Sequence, residues 1–240
     1  MPVSTRHLLY ANEIKITDRI GIAIPTVGEV LDNEDEYYGM VGGLTAMPID
    51  LMVQLDDAGI DFTKITPYEL FLMTFAGLRG KDTKLIFGSL DLSLFEPAIS
   101  DDEKDIVLVD KSNAIVIDKM VYEMIASALR EIHHLEKNNR RPGNEEAKKY
   151  MLERARKKAK RKKKGAEDSQ LESLIIAMVN AEQYKYDFEG TRKLSIYQFN
   201  ESVRQVVKKV DFTSRMYGVY AGTVDTKKLS QDDLNWLNHK

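Results

Sequence analysis

An α+β fold, mostly helical, is what this sequence predicts, with small β-hairpin elements in an N-terminal domain and an all-helical C-terminal domain. Three observations carry that expectation. Ile14, Ile16, Ile20, Ile22 and Ile24 are apolar at every second position, the period of a half-buried strand pair. Ile106–Val109 and Ala114–Ile117 are short β-rich runs on either side of the polar turn Asp110–Asn113. From Leu171 onward every apolar stretch repeats at helical spacing and no strand signal returns.

Taken in order, Pro25-Thr26 ends the first strand pair. Thr26 with Glu29 has capping-box spacing for a short helix from Val27 to Leu31. Tyr37, Tyr38, Val41 and Leu44 predict a second helix over Glu34–Leu44, weakened near its end by Gly42 and Gly43. Pro48 suits a first helical position, with Leu51, Met52 and Leu55 behind it and a stop at Gly59. Thr66-Pro67 repeats the start signal ahead of Leu70, Phe71, Phe75 and Leu78. Lys84–Phe95 reads equally as strand or helix. After the second hairpin, Asp118 caps a helix to about Leu135, whose apolar face holds Met120, Val121, Met124, Ile125, Ala128, Leu129 and Ile132. Arg141-Pro-Gly143 breaks it. The last region predicts helices over Leu171–Ala181, Ser195 to about Val210, Phe212–Tyr220 and Leu229–Leu237.

Between these halves lies a basic insert. Lys137–Lys164 holds 14 of the 35 Lys/Arg and three Glu, a net charge of +11, while the other residues sum to −14 and the whole chain to −3. Such a block repels itself and buries little, so it is read as a partly helical linker over 137–166. The units are then a mixed α+β domain over 1–136 and a helical domain over 167–240. Tyr150, Met151 and Leu152 are the only large apolar residues of the insert. Lys157, Lys158, Lys160, Arg161, Lys162, Lys163 and Lys164 form its basic cluster, expected to act as a solvated tether or a clamp onto an acidic protein partner. Nucleic acid is the less favoured partner, because no aromatic residue lies between Met151 and Gln183 to stack on a base.

The chain has no cysteine, which excludes disulfides, thiol catalysis and Cys-based zinc sites. The N-terminus lacks a signal-peptide pattern, and no apolar run reaches membrane-spanning length, so a soluble cytoplasmic protein without membrane contact is expected. His133-His134 are adjacent, about 100° apart on a helix, and are read as surface histidines instead of metal ligands. Asp56, Asp57 and Asp61, and Asp101, Asp102, Glu103 and Asp105, lack the order of a calcium loop. Gly39–Gly43 lacks the order of a phosphate loop, and neither Gly88-Ser89 nor Ser4-Thr5 has a nucleophile elbow. The chain is therefore expected to be enzymatically inert and to need no cofactor. Its densest aromatic set is C-terminal. Tyr197, Phe199, Tyr217, Tyr220 and Trp236 are the candidate partner-binding residues, with core packing as the competing role, favoured for Phe199 and Trp236.

Tyr184-Lys-Tyr-Asp-Phe188, Leu194-Ser-Ile-Tyr-Gln-Phe199 and Val224-Asp-Thr-Lys-Lys-Leu229 with Leu234-Asn-Trp236 resemble a pattern in hypothetical proteins of Gram-positive bacteriophages and prophages. Ile24–Leu31 and Pro48–Asp57 are similar to the same group. In logic the set resembles phage tail assembly chaperones. That resemblance implies a protein of the host cytoplasm that coats a helical tape-measure protein until tail-tube subunits replace it. A homo-oligomer is compatible with it. The runner-up is a structural component of the virion at the tail, neck or baseplate. Chaperones of this kind are often made in a short and a frameshifted long form, and the Lys162–Lys164 run suits an A-rich slippery codon stretch.

Overall fold

The computed structural model describes residues 5–100, 105–162, 169–225, 227, 229–230 and 235–237. The fold is α+β, 57% helical, with two small antiparallel sheets and a helical C-terminal region. After a short helix α1 (Thr5–Tyr10), β1 (Glu13–Lys15) pairs with β2 (Gly21–Ala23), Ile14 opposite Ile22. Of the every-second-residue isoleucines, Ile14, Ile20, Ile22 and Ile24 lie inside as their period requires, and Ile16, just past β1, is partly buried.

Four helices follow. α2 (Val27–Leu31) and α5 (Pro67–Arg79) each start with a full capping box, Thr26 with Glu29 and Thr66 with Glu69. Between them lie α3 (Glu34–Thr45) and α4 (Met52–Asp57). Pro48 does not start α4; Met47–Leu51 forms a turn instead, tied by the Met47 amide donating to the Asp50 carboxylate at 2.9 Å.

The stretch Lys84–Phe95 resolves into α6 (Lys84–Phe87) and a 3-10 turn at Leu92–Leu94. A strand follows that the sequence pattern hides, β3 (Glu96–Ile99). Pro97 sits in it because β3 is an edge strand, where a missing N–H costs little. The second sheet has the order β3-β4-β5, with β4 (Ile106–Asp110) and β5 (Ile115–Ile117) as the expected hairpin. α7 (Lys119–His133) is capped by Asp118 and buries Val121, Ile125, Ala128, Leu129 and Ile132 of the predicted face; Met124 is partly buried, and Met120, in the first turn, is exposed.

α8 (Glu145–Lys162), α9 (Gln170–Val179), α10 (Phe188–Lys193) and α11 (Ile196–Tyr220) complete the chain. The two helices expected over 195–220 are one continuous helix of 25 residues, since Asp211 does not interrupt a backbone already propagating. Of the helix expected over 229–237, residues 231–234 lie outside the described residues; Leu229, Ser230, Asn235, Trp236 and Leu237 are not helical.

The apolar core crosses the compositional divisions at 136 and 167. Leu171, Ile175, Met178, Tyr184, Ile196 and Phe199 belong to the same buried cluster as Ile22, Val27, Tyr37, Leu129 and Ile132. Backbone bonds stitch the seam: Val27 N–H donates to Leu194 O and Ile196 N–H to Pro25 O, each at 2.8 Å. Arg192 adds a forked contact to the Asp32 carboxylate at 3.0 and 2.9 Å. A second, smaller cluster joins Ala46, Ile49, Leu55, Phe62 and Leu70 to Leu152 of α8. Among the described residues, no helix is long and apolar enough to cross a membrane.

Candidate functional site

α11 is rooted in the core and bare beyond it. Ser195 accepts from the Gln198 amide at 3.1 Å and Gln198 returns the contact to the Ser195 amide at 3.0 Å. That cap points the first turn inward, and Ile196, Tyr197 and Phe199 are 0%, 4% and 0% exposed. Tyr197 and Phe199 are therefore core residues, the role favoured for Phe199, which corrects the reading of Tyr197 and the alternative reading of Phe199 as partner-binding side chains; a buried ring offers nothing to a partner.

Past Phe199 no residue of α11 is buried. Val203 and Val206 still lean on the core. Val207, Val210, Tyr217 and Tyr220 are exposed, the two tyrosines at 71% and 85%. At about 100° per residue these four positions fall within roughly 140° of one another, so they form one apolar and aromatic side. Tyr217 and Tyr220 thus stand where a partner-binding role needs them.

Trp236 behaves differently. The chain turns at Gly222, whose φ is +70, and returns so that the Thr223 and Val224 amides donate to Gly218 O. A Cβ on Gly218 would lie 2.7 Å from a Val224 methyl, which fixes glycine there. Trp236 then lies half-buried with its ring 5.0 Å from Lys209 Nζ, a cation–π contact within the chain.

The basic insert divides in two. α8 repeats Lys148, Leu152 and Arg156 at steps of four, and this stripe docks on α4 and the turn after it. Lys148 Nζ lies 2.8 Å from the Asp61 carboxylate, and Arg156 Nη2 lies 2.7 Å from Asp56 and 2.6 Å from Asp57. Leu152 is buried between these ion pairs. The Lys148 ammonium, followed by hydrogen bonds from Thr63, holds the Asp61 carboxyl well below the usual carboxylate range.

The picture of a wholly solvated tether is thus corrected for residues 145–156: an acidic patch some ninety residues earlier in sequence supplies its counter-charges. Lys157, Lys158 and Lys160 remain exposed. Arg161 and Lys162 belong to the helix end, and Lys163 and Lys164 lie outside the described residues, as do Asp101, Asp102 and Glu103.

The histidine pair is half-buried, not solvent-exposed, because α3 and α11 close over the end of α7. Tyr37 O–H and His133 Nε2 share a hydrogen bond of 2.9 Å. Burial, helped by His134 beside it, pushes His133 down to about 4, so the ring is neutral at neutral pH. His134 closes α7 in the left-handed region at φ 51. Arg204 approaches its Nδ1 at 3.3 Å. Its Nε2 lies 3.3 Å from Glu201 but lacks the alignment of a hydrogen bond. Burial and the neighbouring guanidinium both disfavour a proton on His134.

The groove of about 520 Å³ beside α7 is lined by Ile14, Ile16, Pro67, Met120 and Met124, none of them singled out by the sequence as functional.

No curated protein and no solved structure matches the chain. Residues 160–240, from the end of α8 through the whole of α11, match the family model described as the YomV second domain, and that name, taken from a Bacillus phage or prophage gene, suggests a phage protein.

Proposed function

We propose that this is a non-enzymatic phage assembly protein, of the tail assembly chaperone kind, which holds a tape-measure-type helical protein through the distal side of α11. One observation carries the reading: beyond Val206, where α11 leaves the core, the helix continues to Tyr220 without a buried side chain, yet keeps Val207, Val210, Tyr217 and Tyr220 on one side. A helix has no reason of its own to expose two tyrosines and two valines in register, and such a side meets an apolar stripe on another helix well. Tyrosine suits a surface that is wet when free and covered when bound. The YomV second-domain match covers this element and supports a phage setting.

The test is isolation of complexes from infected cells, followed by mass spectrometry of purified virions. A chaperone co-purifies with the tape-measure protein and is absent from virions, so its place is the host cytoplasm. Recovery in virions would instead establish the structural-component reading. Tyr217→Ser with Tyr220→Ser should reduce co-purification at least tenfold while leaving the melting curve unchanged. Undiminished capture would remove α11 as the contact.

A further inference from the structure

We propose that the outward side of α8 is a contact for single-stranded nucleic acid, with Arg154, Lys157 and the neighbouring lysines on phosphates and the Tyr150 ring on an unpaired base. The inference stands apart from the α11 reading and uses a different element.

It starts from which side of α8 is taken. Lys148, Leu152 and Arg156 face α4 and its carboxylates. At about 100° per residue, Tyr150, Arg154 and Lys157 lie roughly 140–160° around the helix from Leu152. They form a second stripe, at steps of four and three, directed away from the body of the protein. Tyr150 is 65% exposed, and Arg154, Lys157, Lys158 and Lys160 are exposed with it. The stripe from Tyr150 to Lys157 spans about 10 Å.

Two features turn this cationic side into a selective surface. The first is local charge. α8 holds nine Lys/Arg against three Glu, while the residues outside 137–164 sum to −14. A polyanion is therefore repelled from most of the molecule and drawn to this helix. On the docked side, Asp56, Asp57 and Asp61 are already engaged by Lys148 and Arg156, and the carboxylates of α8 itself, Glu145, Glu146 and Glu153, are outnumbered three to one by its cations. The second is the ring. A purely charge-seeking surface, as for an acidic peptide, has no use for a tyrosine standing in solvent among its cations. A duplex keeps its bases stacked out of reach. Unpaired bases present a free π-face, and cations flanking an aromatic side chain are how single strands are held.

The sequence pattern alone conceals this, because Tyr150 lies at the edge of the basic run and looks like part of the apolar trio Tyr150, Met151 and Leu152. The structure separates them, burying Leu152 and leaving Tyr150 out.

The experiment is fluorescence anisotropy of the full chain with a labelled 20-mer oligo(dT) at low salt, repeated across a salt series. Wild type should bind, and a duplex of the same length should bind more weakly. Tyr150→Ala should lose about 5- to 10-fold in affinity with the salt slope unchanged, and Tyr150→Phe should recover most of it. Arg154→Gln with Lys157→Gln should weaken binding and flatten the slope by roughly 1.4. Each variant alters only exposed side chains, and circular dichroism confirms the helix. Absence of binding overturns the proposal. So do equal affinity for Tyr150→Ala, a preference for duplex, or displacement by polyglutamate as readily as by unlabelled oligo(dT).

Discussion

α8 and α11 are both long helices held at one end and bare at the other, but what holds them differs. α11 is anchored by Ile196, Tyr197 and Phe199, all within the main core, and by backbone bonds across the seam at Pro25–Val27. α8 is anchored by one buried leucine and ion pairs whose side chains are 15–58% exposed. Apolar burial is indifferent to ionic strength, whereas partly exposed ion pairs are screened. The same arrangement, a helix projecting from the body, therefore rests on a permanent foundation in one case and a conditional one in the other.

The sharpest way to break the comparison is at the root of α11. Phe199→Ala should cost about 3–5 kcal/mol and lower the global denaturation midpoint, because a fully enclosed ring leaves a cavity. A loss confined to the last helix, with the rest melting as before, would show that the core is not shared.

Acid tests the same root next. His133 takes up its proton at about 4 when folded against 6.5 when free, so the unfolded chain is protonated first. Its contribution is complete above about pH 6.5 and is lost as pH falls toward 4, on the order of 3 kcal/mol. Urea midpoints at pH 7.5 and 4.5 should therefore diverge more in wild type than in His133→Gln. Matching profiles would mean that the ring does not titrate as its enclosure demands.

At the other helix, Leu152→Ala should cost about 2 kcal/mol, and hydrogen exchange over 145–156 should rise well before exchange over 196–210. The smallest effect belongs to the ion pairs. Asp56→Asn with Asp57→Asn should change global stability by less than about 1 kcal/mol. It should nonetheless make α8 cleavable by trypsin at low salt to the extent that wild type becomes cleavable only at high salt. If wild-type α8 resists cleavage equally at both salt concentrations, its docking is apolar and the contrast with α11 fails.

Much of the framework was legible in local sequence, and the exceptions share a cause. The capping box at Thr26, the Thr66-Pro67 helix start, the alternating isoleucines and the β4–β5 hairpin all depend on residues a few positions apart. β3 was missed because its four residues include a proline, the strongest mark against a strand away from an edge. The docking of α8 had half its signal in view, the Lys148–Leu152–Arg156 stripe, but its acceptors lie 87 to 100 positions away. Tyr37 is likewise 96 positions from His133, so no reading of His133-His134 in isolation could place that ring indoors. Phe199 was legible as a core residue, but whether Tyr197, Tyr217 and Tyr220 on the same helix pack inward or stand in solvent was not distinguishable until the point where α11 leaves the core was known.

The seam between Pro25–Val27 and Leu194–Ile196 also bears on inheritance. A recombination near residue 160 would deliver a C-terminal region whose first task is to fit a foreign apolar surface. Hydrogen bonds between backbones would transfer to any recipient, but the shapes around Ile22, Val27 and Tyr37 would not. Mosaic descendants of this protein should therefore keep a compatible pair of surfaces at that junction even where the outer reaches of the last helix have diversified.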